Sequence, residues 1–187
     1  MIAHKDGVTG RTYSSSFQHP KKKEQDSLKI DMKINNPMSS ALSRYKITED
    51  LQKIRLALKL QNLLNEGICK LEECFFLTKL LPNDFHIDQA LKLSFDRTQL
   101  ECDCNHIHIE DYLNSRGKNQ KYLIEQGLAF GLKIHQLLGE SHHFMIIISF
   151  SQDEFLDCNV RFHRKRENEN WLANDINLYE EGIAVFE

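Results

Sequence analysis

Apolar residues follow no period over the first 36 positions, where Ser14 to Ser16 and Lys21 to Lys23 form polar runs. The expectation is a disordered polar tail over 1–36, followed by a single domain over 37–187. Thr48 ahead of Glu49 and Asp50 has the chemistry of a helix N-cap with acids in the first turn. Leu51, Ile54 and Leu58 keep helical spacing, which predicts a helix to about Asn65 with Gly67 as its stop. Ile54, Leu56, Leu58 and Leu60 also alternate as a strand would. Ile68 to Leu81 is apolar-rich, of unassigned type, and ends at Pro82 with turn residues Asn83 and Asp84. Phe85 and Ile87, then Leu91, Leu93 and Phe95, stand two apart and predict extended chain. The segment 100–109 continues that pattern.

The helical period is clearest over 119–138, where Leu123, Ile124, Leu128, Ile134 and Leu138 fall near one face and Gly139 ends the run. Gly127 and Gly131 share a face, which predicts close backbone packing there. Phe144 to Phe150 is apolar and β-branched enough for a covered central strand. Leu156, Cys158, Val160 and Phe162 alternate with Asp157, Asn159, Arg161 and His163, as in a half-buried strand with a polar outer face. Ser151 to Glu154 reads as the hairpin loop joining the two, so they should be antiparallel neighbours. A helical turn at 175–179 and a strand at 183–186 complete the pattern. The predicted class is α+β, an antiparallel sheet drawn mainly from the C-terminal half and covered by helices on one face.

Composition narrows this picture without redrawing it. With 41% hydrophobic and 27% charged residues in 187, the chain has the mixture of one ordinary globular domain. The longest strongly apolar run, Phe144 to Ile148, falls far short of the roughly 20 residues of a membrane span. The N-terminus lacks the apolar stretch of a secretory leader, which makes the cytosol the expected compartment. Five cysteines, an odd number, then read as reduced thiols. The formal net charge is −3, but residues 1–33 carry seven Lys/Arg against four Asp/Glu, leaving 17 against 23 on the remainder. An acidic body disfavours nonspecific binding to nucleic-acid phosphates and favours a basic partner. Lys21 to Lys23 read as a solvated run in preference to a phosphate-binding arm.

Cys102-Asp-Cys104-Asn-His106-Ile-His108 sets four good zinc ligands at every second position. On a strand all four would share a face, but alternate residues stand about 7 Å apart, so one tetrahedral ion cannot take all four from a straight strand. A pair such as His106 and His108 could contribute, with other ligands from His86, His142, His143 or His163. The alternative function is therefore a zinc-binding domain or metal-dependent enzyme built on Cys102, Cys104, His106 and His108. The preferred reading is an ordinary strand face with reduced thiols and no cofactor. Cys69, Cys74 and Cys158 read as core. The chain contains no GxSxG elbow, HExxH, P-loop or GxGxxG, so no catalytic residue is assigned.

Arg161-Phe-His-Arg-Lys-Arg166 gives way to an acidic ending that has no Lys or Arg after 166. Internal ion pairing accounts for the basic residues more simply than nucleic-acid binding does. Glu167, Glu169, Trp171, Asp175 and Glu180 are the candidate partner-binding residues, an aromatic anchor among charges that select the partner. A tryptophan covering the sheet edge is the plainer role for Trp171. The stretch from Arg161 through Trp171, Asp175 and Tyr179-Glu-Glu resembles the C-terminal part of small bacterial immunity proteins, which neutralise toxins of contact-dependent and related systems. That resemblance covers under a fifth of the chain and leaves the basic N-terminal segment unexplained. It implies a non-enzymatic cytosolic binder that occludes a basic surface of another protein.

Overall fold

The computed structural model describes residues 32–48, 50–114, 119–139, 143–151 and 157–187. The proposed tail up to residue 31, with Lys21 to Lys23, lies outside them, as do His142 and most of the 151–154 loop. The fold is α+β. A five-stranded antiparallel sheet has the order β1-β7-β5-β6-β4: β1 (Met32–Ile34), β7 (Gly182–Phe186), β5 (Phe144–Ser151), β6 (Asp157–Arg164) and β4 (Ile107–His108). A separate hairpin pairs β2 (Ile68–Leu71) with β3 (Cys74–Leu77). The helices are α1 (Asn36–Tyr45), α2 (Leu58–Asn65), α3 (Ile87–Leu93), α4 (Arg97–Cys104) and α5 (Gln120–Leu138).

The C-terminal half follows its pattern. β5 and β6 pair from Phe144↔Arg164 to Ser151↔Asp157, and β7 lies along the other edge of β5. Their even-numbered apolar residues, including Ile146, Ile148, Phe150, Cys158, Val160 and Phe162, enter the main core. Asn119 caps α5 by accepting from Tyr122 N at 2.8 Å. A Cβ on Gly127 would stand 2.5 Å from Cys158 Sγ, and one on Gly131 would stand 2.8 Å from Ile148 Cδ1. The two glycines let α5 lie directly on β5 and β6. The opposite face of the sheet is covered by chain, not by helices: Trp171, Leu172 and Tyr179 pack on Ile147, Ile183 and Val185.

The N-terminal half departs from its pattern in four places. Met32 to Asn36 belong to the domain, since β1 pairs with β7 and Asn35 is only 1% exposed. Asn35 Oδ1 accepts from Met38 N and Ile183 N, while Nδ2 donates to the Glu181 and Ile176 carbonyls, so one side chain caps α1 and fastens it to β7. The predicted 51–65 helix is split into a single 3-10 turn at Leu51–Lys53 and α2. Between them, buried Gln126 of α5 accepts from Ala57 N and donates to the Arg55 carbonyl, holding the chain extended.

The third and fourth departures lie in 85–104, predicted extended and in fact helical in α3 and α4. The alternation misled because Leu93 and Phe95 are not buried at all, being 89% and 93% exposed. Asp96, extended, caps α4 by accepting from Gln99 N at 2.7 Å. Cys102 and Cys104 therefore sit on a helix and only His106 and His108 remain at strand spacing, so the four do not share one face.

Candidate functional site

Two groups of polar residues could carry function. The first is the acidic ending. Glu169 turns inward, its Oε2 accepting from Thr98 N and Oγ1 at 3.0 and 2.9 Å. Trp171 is half-buried against the sheet, with the Arg161 guanidinium 5.7 Å from its ring centroid. Asp175 is exposed and accepts from Asn177 N, capping the last 3-10 turn. Glu167 and Glu180 are exposed. Of the five candidates, Glu169 and Trp171 make contacts within the fold, while Glu167, Asp175 and Glu180 are exposed. What the ending does build is a corner: a cleft of about 440 Å³ is lined by Pro37, Phe150, Tyr179, Glu180 and Glu181, and Leu178, which precedes Tyr179 in the chain, is 74% exposed.

The basic run that precedes it is consumed by internal pairing. Arg164 meets Glu73 at 2.5 Å, Lys165 meets Glu187 at 3.3 Å and Arg166 meets the fully buried Glu101 at 2.6 Å. Glu101 also accepts from Phe75 N and Arg164 N. Desolvation pushes the Glu101 pKa up, while the hydrogen bond and charge of Arg166 pull it back.

The second group lies on the sheet face that Trp171 partly covers. β4 and β6 pair His108 with Asn159, which places His106, His108, Asp157, Asn159 and Arg161 on one side of the sheet. Glu110 joins them from the 3-10 turn Ile109–Tyr112. The hydrogen bonds run in one direction. An arginine can only donate, so Arg161 Nη2 donates to His106 Nδ1 at 3.2 Å, which makes Nε2–H the donor to Asn159 Oδ1 at 3.0 Å. Asn159 Nδ2 then donates to Asp157 Oδ2 at 2.7 Å. Burial, with the Arg161 charge second, pushes the His106 pKa down and keeps that ring neutral.

At the end of the chain of bonds stand His108, Glu110 and Asp157. His108 Nδ1 is 3.4 Å from Glu110 Oε1 and 3.5 Å from Asp157 Oδ1. Glu110 Oε2 accepts from Cys158 N at 3.3 Å. The Glu110 pKa is raised, first by burial and further by the neighbouring Asp157 carboxyl.

The sequence motif 102–108 thus divides. Cys102 is fully buried and Cys104 partly so, and burial pushes both thiols up, Cys102 the further. Neither stands with the histidines as a ligand group among the described residues. Cys74 is likewise buried, its thiol pushed up to about 11, and Cys158 lies under Gly127. All five cysteines are free thiols. Of the other histidines considered, His163 is buried, with Nδ1 donating to the Arg164 carbonyl, and His86 and His143 are exposed. Sequence reasoning missed Glu110 and Asp157. Asp157 was legible as one of the polar alternates of β6, but Glu110 carried no signal, since a 3-10 turn delivers it.

No described helix is long and apolar enough to cross a membrane. Fold and site together define a small α+β domain with an acidic cleft at one corner and a directed polar strip on its sheet. Residues 33–187 match the profile of the uncharacterised PM0498 family, and the chain belongs to that family. No curated protein and no solved structure gives a significant match.

Proposed function

We propose that the domain is a non-enzymatic, cytosolic protein-binding module that takes a basic segment of another protein on its acidic C-terminal corner. The observation that carries this reading is the cleft of about 440 Å³ lined by Glu180, Glu181, Ser40, Pro37 and Tyr179, with exposed Leu178 next to Tyr179 in the chain. A lysine or arginine stem can lie on the apolar lining while its charge meets the two carboxylates. The surplus of 23 acidic over 17 basic residues after position 33 attracts such a partner at longer range. The C-terminal resemblance supports a specific form of this reading: a bacterial immunity-type inhibitor that works by occluding a basic surface of its toxin.

The test uses a fluorescent peptide rich in Lys and Arg with one leucine, titrated with the full chain and followed by anisotropy. Binding should weaken with added salt and fall at least about tenfold in the double variant Glu180→Lys, Glu181→Lys, an effect of the size measured for close interfacial charges. Reversal of the distant exposed Asp84 should leave it nearly unchanged. Equal losses from both reversals, or none from the double variant, would defeat the proposal.

A further inference from the structure

The group His108, Glu110 and Asp157 brings one imidazole nitrogen and two carboxylate oxygens within 4.8 Å of one another. If His108 were a protonated partner of two carboxylates, its N–H···O contacts should close to about 2.7–2.9 Å. They stand at 3.4 and 3.5 Å. Atoms bound to one ion at 2.0–2.2 Å in a tetrahedron are separated from one another by about 3.3–3.6 Å. The two distances fall in that interval, and the Glu110 and Asp157 oxygens lie within 4.8 Å of each other.

A second observation concerns the carboxylate oxygens themselves. Asp157 Oδ1, the oxygen turned toward His108, is buried and has no hydrogen-bond partner. Its other oxygen, Oδ2, is held by Asn159, and Glu110 Oε2 is held by Cys158 N. Each carboxylate has one oxygen held by a neighbouring donor and the other turned toward His108, and the two carboxyl groups also interact with each other. That division of labour is how outer-sphere donors orient the ligands of a metal. The Arg161–His106–Asn159 relay extends the support outward and fixes the amide that holds Asp157.

We propose that His108 Nδ1, Glu110 Oε1 and Asp157 Oδ1 form a site for a first-row divalent cation. One imidazole nitrogen with two carboxylate oxygens suits Mn²⁺ or Zn²⁺ better than Mg²⁺. The three side chains remain 43%, 21% and 38% exposed, although Asp157 Oδ1 itself is buried. The site differs from the Cys/His run of the sequence in two of its three ligands and uses neither cysteine.

The proposal stands apart from peptide binding at the acidic corner, and each has its own readout. Mn²⁺ is the probe, because thiolates bind it poorly, and the free ion is followed by electron paramagnetic resonance as the full chain is titrated. The expected result is about one site per chain, lost in Asp157→Asn and in Glu110→Gln and unchanged in Cys104→Ser. Asn159→Ala should weaken it about 10–100-fold, as removal of an outer-sphere partner does. Thermal melts give a check that survives misfolding of one variant: Mn²⁺ should raise the Tm of the wild type and not that of Asp157→Asn. Absence of binding by the wild type, or binding retained in both carboxylate variants, overturns the proposal.

Discussion

Two polar networks lie side by side along residues 101–110 and are put to opposite uses. Glu101 and Asn105 are both fully buried. Asn105 Oδ1 accepts from Leu77 N, and its Nδ2 donates to the Phe75 and Phe162 carbonyls. With Glu101 holding Phe75 N, Arg164 N and Arg166, these two residues hold the β2–β3 hairpin to the end of β6. A few positions on, His108 and Glu110 stand half-exposed, with Asp157 Oδ1 unpartnered beside them. Spacing makes the difference. Residues 101 and 105 are one helical turn apart and point into the hairpin, whereas 106 and 108 are one strand repeat apart and point across the sheet. A polar network whose groups are all satisfied joins parts of a fold. The other leaves Asp157 Oδ1 without a hydrogen bond, and that oxygen belongs to the proposed cation site.

The comparison breaks most visibly at Glu101. Replacement by Ala strands two backbone N–H groups and leaves the Arg166 charge with only the more distant Glu169 carboxylate at 3.9 Å, at a cost of about 3–5 kcal/mol in urea denaturation. Asn105→Ala should cost less, about 2–3 kcal/mol, because the groups it abandons are neutral. If either cost were near zero, the hairpin would not depend on this network. Acidification should have a smaller effect. Burial depresses the pKa of both His106 and His163, so the folded state favours neutral rings. Their contribution to stability is in place above the ordinary histidine pKa of about 6.5 and is lost as pH falls through the depressed folded values. Melting temperature should therefore drop as pH falls below about 6.5, and His163→Gln should reduce that drop. Asp157→Asn should change stability least, by under about 0.5 kcal/mol, while abolishing Mn²⁺ binding. A large loss of stability there would make the 108–110–157 group structural and erase the contrast.

The legibility of the chain divides at the same place. The sheet residues 144–150 and 157–164 and the helix 120–138 could be read because each buries one complete face, and burial is what hydrophobic period records. Gly127 and Gly131 were legible for a related reason, since two glycines on a helix face mark the approach of another backbone. The 85–104 region could not be read in that way. Leu93 and Phe95 imitate the alternating face of a strand while lying in solvent. The helices there are short, and Asp96 and the packing of Leu100 and Cys102 decide their type. The break at 54–57 was equally hidden, because its cause is Gln126, a residue about 70 positions away.

The candidate sites follow the same division. The acidic ending and the histidines at 106 and 108 were visible as composition and spacing. Their partners were not: Glu169 turned out to hydrogen-bond Thr98, Trp171 to pack on the sheet and Leu178 to be exposed, and Glu110 and Asp157 arrived from separate elements. The sequence by itself determined an α+β domain, its C-terminal sheet and covering helix, and an acidic surface, because those depend on local period and total charge. Only the tertiary structure decided which polar side chains are satisfied and which face outward together. Hydrogen-bond satisfaction is a property of groups brought within about 3 Å by the whole fold, and neighbouring positions in the chain can lie on either side of that division.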